Sequence, residues 1–402
     1  MVLIIKNHMK FVIIGGGVAG TTAAEEIRRQ DASAEITIIE QEPHRLYSKI
    51  LLAKYVTDEI DRDRLFLKSE KWYTDKNIEL MSEARVLRID SKNKFVETSE
   101  KREIPYDKLI VATGQQPKML EVDMRGIAYF RTLDDAEILK SSIAHLRTKP
   151  KEQRRIIVVG GAFISMEYIH IAQALDIPIS IILRSGGFWS RVISQESQEK
   201  LFNKARELGI DIHINETFDI LGESEFEGVK LSSGVEIGGS ILAVGVGVQT
   251  DGQWVIESGF DVERGVTCSK SLEVQEDIYT IGDVCEFEDG IMDRAMHIGN
   301  WTNAIMQGRC AATNALGDKC DYEFVSSYAT RLGDIEITFI GDTDRSIAQD
   351  VRMLEQEGST IELFDRGGRT VGAVILGLTP ERAKITKAIQ EKKLYEHNKS
   401  IG

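Results

Sequence analysis

The chain has 402 residues, a formal net charge of −14, 42% hydrophobic residues and 28% charged residues. At roughly 100–200 residues per domain that length calls for about two to four domains. The composition is that of a soluble globular protein, and the acidic balance argues against nucleic acid as a partner, because phosphate binding needs a basic surface.

The opening run MVLIIKNHMK is too short for a signal peptide or a membrane span, and residues 1–8 read as an extension ahead of the first strand. Residues 9–14 form an apolar strand, followed by the glycine turn GGGVAG and a helix to about Gln30. In that turn Gly15, Gly17 and Gly20 stand in the G-x-G-x-x-G frame, and residues 35–40 (EITIIE) form a strand ending on Glu40, 20 residues past Gly20. Strand, glycine turn, helix, strand and acid in this order define a dinucleotide-binding βαβ unit. The glycines permit a tight turn and close approach to a pyrophosphate, and the acid accepts hydrogen bonds from a ribose.

Residues 86–98 and 109–113 read as strands, the second inside YDKLIVATGQQP, where glycine and proline mark a domain crossing. A second βαβ pattern runs over 155–183 with the turn GGAFISME, in which Gly160 and Gly161 precede Ala162, Phe163, Ser165 and Glu167. The chain returns in residues 234–248, then in IYTIGDVCEF, which contains Gly282 and Asp283, and in a helix over 304–316. From Cys320 the composition changes: residues 324–341 and 361–376 alternate as antiparallel strands, with the turn Arg366-Gly367-Gly368, and 380–399 form a polar helix. Cys268, Cys285, Cys310 and Cys320 lack metal or redox-motif spacing, so they read as buried, inert thiols in a reducing, cytoplasmic setting.

The order GGGVAG, ITIIE, YDKLIVATG, VVGGAFISME, LAVGV, IYTIGDVC, NWTNAIMQGRCAATNALG resembles the pyridine nucleotide–disulfide oxidoreductase superfamily over nearly the whole chain. HRLYSKILLAKYV resembles the corresponding segment of rubredoxin, ferredoxin and nitrite reductase flavoproteins, with Ser48 where other branches carry a redox cysteine. The resemblance implies an α/β protein with two Rossmann-like three-layer domains and a small C-terminal α+β interface domain. Its expected parts are a discontinuous FAD domain (1–117 and 246–321), an NAD(P)H domain (118–245) and the C-terminal domain (322–402).

It further implies that Glu40 holds the adenosine ribose of FAD and that Asp283, after Gly282, holds the ribityl chain. Arg45 and the Thr113–Gly114 crossing lie beside the same cofactor, and Asn300 and Trp301 pack at its pyrimidine end. Lys49 would stand near flavin N5 and pair with Glu167, making these two the catalytic residues, while Phe163 would gate the nicotinamide pocket. Each has a plainer reading in the residues themselves: a strand-end acid for Glu40, a helix cap for Asp283, a tight turn at Gly114, core packing for Trp301 and Phe163, a helical surface charge for Glu167.

The second site departs from the family pattern. Ala162 replaces the glycine facing the pyrophosphate, and Ser165 replaces one small residue by another. Leu183 takes the place of the acid that NADH users carry, with Arg184 and Arg191 following; two arginines suit a 2′-phosphate, so NADPH is expected to serve at least as well as NADH. Degenerate binding with two solvated arginines is the alternative. The implied reaction is hydride transfer from NADPH or NADH to FAD and onward delivery of electrons to a small rubredoxin- or ferredoxin-type carrier. The competing readings are an NAD(P)H oxidase reducing dioxygen and a flavoprotein redox sensor with weakened nicotinamide binding. No metal and no membrane partner is expected, and the oligomeric state stays open, a homodimer being one candidate.

Overall fold

Two parallel sheets, each built on a strand–glycine turn–helix unit, organise the computed structural model, which describes residues 8–251, 253–356 and 358–397. The expected extension over residues 1–8 lies outside the described residues except for His8; the helix expected over 380–399 is shorter, Arg382–Gln390, and residues 391–397 leave it as a turn and irregular chain, with 398–399 outside the described residues. The chain divides into two compact units: Met1–Ser48, Phe66–Gln116 and Gln249–Ser326 form one, and Lys49–Leu65, Pro117–Val248 and Ser327–Gly402 form the other.

In the first unit the sheet order is Glu273–Gln275, Ile278–Thr280, Lys108–Val111, Lys10–Ile14, Glu35–Ile39 and Ile78–Met81. The strands from Ile278–Thr280 to Ile78–Met81 pair in parallel, with Val12 opposite Leu109 and Ile13 opposite Ile38. Residues on both faces of the central strand are buried, as a sheet covered on both sides requires. Val12, Ile14, Leu109, Val111, Ile278 and Val284 share one apolar core. Helix Val18–Gln30 crosses helix Trp301–Ala315 closely: a Cβ on Gly308 would come within 2.6 Å of the Ala19 carbonyl oxygen. Residues 86–98, expected as one strand, are a hairpin of Val86–Asp90 and Phe95–Thr98. The break is chemical: Asp90 accepts from the Asn93 amide at 2.9 Å and Lys94 takes a positive φ of 53°, closing a turn in the middle of the run.

In the second unit the parallel sheet runs Asp211–Ile214, Ile179–Leu183, Ile156–Val159, Ile241–Val244, Ile127–Ala128. Ile156–Val159 and Ile241–Val244 are buried at all positions, so their apolar runs do not alternate. The same unit holds a five-stranded antiparallel sheet in the order Ser327–Leu332, Ile335–Gly341, Arg369–Gly377, Ser359–Arg366, Asp350–Gln356. Asp350–Gln356 escapes the sequence reading because Arg352 and Glu355 interrupt its pattern; Arg352 is there to meet Asp365 on the neighbouring strand at 2.5 Å. Helix Arg382–Gln390 buries only Ile385 and Ile389 and packs on strand Arg369–Gly377. Among the described residues no helix is long and apolar enough to cross a membrane.

Candidate functional site

The first glycine turn is closed by backbone. Gly15 has φ +107°, and a Cβ there would run into the Ala112 carbonyl; a Cβ on Gly20 would run into the Gly15 carbonyl. Only glycine lets strand, turn and helix meet this closely. Gly17 differs: nothing lies within 4 Å of where its Cβ would be. It is the N-cap of helix Val18–Gln30, and its capping position supplies no side-chain hydrogen bond. The helix thus starts with amides not capped by their own N-cap side chain, beside open space, which suits an anionic group.

Glu40 lies at this turn, accepting from the Gly16 amide at 2.7 Å on one oxygen and from the Glu42 amide at 2.8 Å on the other. A carboxylate accepts hydrogen bonds only, the complement of a ribose hydroxyl. The turn, its open face and its acid fit an adenosine diphosphate moiety such as that of FAD.

Most of the remaining candidates of this unit follow the ends of strands of the same sheet or the helix start beside them. Thr113 and Gly114 follow strand Lys108–Val111, Gly114 with φ +70°, and the Thr113 amide is 3.2 Å from where a Gly15 Cβ would stand. Gly282, φ +76°, donates its amide to Gln307 Oε1 at 2.7 Å, and a Cβ on it would approach Ala19 at 3.2 Å. Asp283 is half-buried in the turn Gly282–Val284, its carbonyl accepting from His297 Nε2 at 2.8 Å. Asn300 caps helix Trp301–Ala315 by accepting from the Asn303 amide at 2.9 Å, and Trp301 is half-buried at its first position. Arg45 turns to a different neighbourhood, donating to the Lys68 carbonyl at 2.8 Å and stacking over Phe66 at 4.1 Å. Ser48 is buried, 6% exposed.

The cysteines differ from the expectation of four separate inert thiols. Cys310 and Cys320 are joined as a disulfide, and Cys268 and Cys285 lie 3.4 Å apart, both buried. The pairing was invisible in the spacing because helix Trp301–Ala315 and the following turn bring Cys310 and Cys320 together, while adjacent strands bring the other two. Burial and the neighbouring Cys268 push the Cys285 thiol well above its ordinary value, which keeps it neutral and a poor nucleophile.

In the second unit Gly160 repeats Gly15: φ is +112° and a Cβ would run into the Gly245 carbonyl. Gly245, in LAVGV, is thus a partner of the turn. Ala162 stands where Gly17 stands and is likewise an N-cap without a side-chain hydrogen bond, but it carries a methyl. Ser165 takes the register of Gly20. Rather than overlap, it donates its hydroxyl to the Gly160 carbonyl at 2.8 Å and is fully buried. Reading it as one small residue replacing another understates a hydrogen bond that ties the helix to the turn.

Gly161 faces the loop after strand Ile179–Leu183: its carbonyl accepts from the Trp189 amide at 2.9 Å, and a Cβ on it would meet Leu183 Cδ2 at 2.6 Å. Leu183 is buried at 2% exposure; Arg184 and Arg191 are exposed and have no carboxylate partner among the described residues. Phe163 packs in an aromatic group, 5.1 Å from Trp189, 5.0 Å from Tyr328 and 5.3 Å from Phe339. Burial pushes the Tyr328 phenol up to about 12. None of Trp189, Tyr328 and Phe339 carried a sequence signal.

Lys49 opens a short helical turn, Lys49–Leu51, that continues into Leu52–Val56. This segment is fastened to the second unit: Tyr55 donates to Glu137 at 2.8 Å, Lys140 donates to the Tyr55 carbonyl at 3.1 Å, and Glu59 meets His170 at 3.2 Å. Helix Phe163–Ala174 carries both His170 and Glu167. Burial pushes the Glu167 carboxyl above the ordinary carboxylate range, with His170 acting in the opposite direction. Among the described residues Glu167 makes no ion pair, so Lys49 and Glu167 share a unit without the expected bridge. No cluster of three metal-ligating side chains occurs among the described residues.

Two parallel-sheet units, each with a glycine turn, define the class. Residues 9–308 match the family model described as pyridine nucleotide-disulphide oxidoreductase, and the chain belongs to that family. It is 27% identical over 392 residues to the nitrite reductase [NAD(P)H] of Bacillus subtilis, covering 95% of this chain and 47% of the relative. It is 27% identical to the rhodocoxin reductase of Rhodococcus erythropolis, covering 94% and 92%. A ferredoxin reductase structure from Rhodopseudomonas palustris superposes with a TM-score of 0.87 at 24% identity, over 96% of this chain and 95% of that one, a likeness of fold. The chain spans about half the length of the Bacillus subtilis relatives it matches, 47% and 49%.

Proposed function

We propose that the protein is a cytoplasmic FAD-dependent NAD(P)H oxidoreductase that passes electrons to a small rubredoxin- or ferredoxin-type carrier. The observation that carries this reading is the pair of glycine turns, each opening onto a helix start without a side-chain N-cap bond, together with Ser48 in place of a redox cysteine. Relatives named for rubredoxin and ferredoxin reduction support it. In this reading the FAD domain (1–117 and 246–321) takes in the first unit together with the 49–65 segment, which groups with the second unit. The second unit combines an NAD(P)H-binding part (118–245) with the C-terminal α+β part (322–402).

Bound FAD would supply the redox chemistry, taking a hydride equivalent from NAD(P)H and passing electrons on singly. The residues of the chain set position and charge. Glu40 and the Gly15–Gly17–Gly20 turn bind the adenosine end, Asp283 and the Gly282 turn hold the ribityl chain, and Thr113, Gly114, Asn300 and Trp301 line the ring, with Arg45 supporting the 66–70 segment. Gly160 and Gly161 receive the coenzyme pyrophosphate, Phe163 borders the nicotinamide, and Arg184 and Arg191 receive a 2′-phosphate. Lys49 would stand near the flavin, where a cation favours electron density arriving at the ring, with Glu167, on helix Phe163–Ala174, as its proposed counter-charge.

The visible spectrum of the purified protein, before and after NADPH or NADH, tests the whole reading. A bound-flavin spectrum that bleaches with NADPH and recovers on adding a rubredoxin or ferredoxin is expected; protein that stays colourless with added FAD rejects it. Arg184→Glu should lower the NADPH-to-NADH preference by about tenfold, the scale of one hydrogen bond to a charged group. An unchanged ratio would remove the arginines from the site. Lys49→Met should slow flavin bleaching while FAD stays bound, and bleaching at the unmodified rate would refute that role. A second reading, a redox sensor with weak nicotinamide binding, is favoured by the methyl of Ala162 and the apolar, buried Leu183, and predicts bound FAD that neither coenzyme bleaches.

A further inference from the structure

The loop that carries Arg184 and Arg191 is held from outside the Rossmann-like sheet. Glu362, on strand Ser359–Arg366 of the antiparallel sheet, is 1% exposed. Its carboxylate accepts from the Ser194 amide at 3.0 Å, from Ser194 Oγ at 2.8 Å and from the Arg345 guanidinium. Arg345 also donates Nε to the Val192 carbonyl at 3.0 Å. From the other side Gln198 grips Phe188, its Oε1 accepting from the Phe188 amide at 2.9 Å and its Nε2 donating to the Phe188 carbonyl. Between these grips Trp189 takes a φ of +43° and donates to Gly161.

Capping alone does not call for a buried carboxylate. Ser194 is already the N-cap of helix Gln195–Glu207, accepting from the Ser197 amide at 3.2 Å. A buried ion pair is a weak source of stability, since apolar residues of similar volume often do as well or better. What Glu362 and Arg345 add is direction: one reads a backbone amide, the other a backbone carbonyl, at the two residues flanking Ile193. A loop so fixed presents its arginines without first ordering itself, which lowers the entropic cost of receiving an anion.

We propose that Glu362 is a positioning residue for coenzyme recognition, acting through Ser194 and Arg345 to fix the loop whose arginines receive the 2′-phosphate of NADPH. The C-terminal sheet thereby takes part in coenzyme choice. This inference rests on the proposed role of Arg184 and Arg191.

The test is titration of the FAD-loaded protein with NADP+ and NAD+, in Glu362→Gln, Glu362→Asp and Ser194→Ala, with thermal midpoints measured alongside. Glu362→Gln should weaken NADP+ by about fivefold or more and NAD+ by less than about twofold, roughly 1 kcal/mol of selective loss. KM for NADPH should rise with kcat little changed, and Glu362→Asp should recover part of the affinity. Ser194→Ala should move the same ratio in the same direction by a smaller step. An unchanged ratio, or equal loss for both coenzymes tracking the thermal midpoint, overturns the proposal, and if Glu362→Gln does not fold, Ser194→Ala decides it. The underlying reading fails differently: there Arg184→Glu leaves NADP+ binding unchanged, whereas failure of this inference alone leaves the Arg184→Glu effect intact and the Glu362 variants silent.

Discussion

The two glycine turns solve one backbone problem and two ligand problems. Gly15 and Gly160 both take a positive φ against a carbonyl oxygen of the next strand end, of Ala112 and of Gly245. They diverge where the chain faces outward. Gly17 leaves open space at the helix start, where Ala162 carries a methyl, and Gly20 lies flush with the turn, where Ser165 holds on by a hydrogen bond. The position at the end of the second strand diverges too: Glu40 bonds into its own turn, whereas Leu183 is apolar and buried, and in the proposed reading recognition falls to the loop that follows. Positions that close the backbone are therefore shared, and positions that face outward differ.

The comparison breaks most readily at its shared part. Gly15→Ala or Gly160→Ala should each destabilise its unit by about 3 kcal/mol, combining a strained φ with overlap on a carbonyl. Denaturant midpoints would show it, and an alanine accepted at either position without loss would mean that the turns are not alike. A smaller effect separates the outward positions. Gly17→Ala should leave the fold intact yet weaken FAD, while Ala162→Gly should tighten NADP+, each by about threefold, as fits an effect below 1 kcal/mol. Titration of apo-protein with FAD and of FAD-loaded protein with NADP+ measures the pair; parallel rather than opposite changes would contradict the assignment.

The smallest expected effect lies at Glu167. Its folded carboxyl is raised by burial, so ionisation is disfavoured in the native state and costs stability as pH rises through the raised value. Below the ordinary carboxylate range the group is neutral in both states and that cost vanishes. Glu167→Gln should therefore stabilise the coenzyme-free protein more at pH 8 than at pH 4, by thermal melting. The first unit has no counterpart at this helix position, where the chain carries a threonine, Thr22. A pH-independent difference would mean that Glu167 is solvated as its plain reading has it.

The sequence by itself determined the elements whose cause is local. Strands Lys10–Ile14 and Ile156–Val159, the helices that follow and the glycine turns were legible because apolar runs, glycine spacing and helix starts depend on near neighbours. Family membership was legible because the order of motifs is itself a sequence property, and the matched span of residues 9–308 agrees with it. Tertiary structure decided what depends on residues far apart. It joined Cys310 to Cys320, set Cys268 beside Cys285, and split residues 86–98 at a turn.

It also placed Phe163 among Trp189, Tyr328 and Phe339, and brought Glu362 to Ser194 across 168 residues of chain. A polar residue in a strand, such as Glu362 between Ile361 and Leu363, carries no mark of its partner in the sequence. Burial of its charge becomes tolerable only where Arg345 and two donors of Ser194 converge, and that convergence exists only in the folded chain.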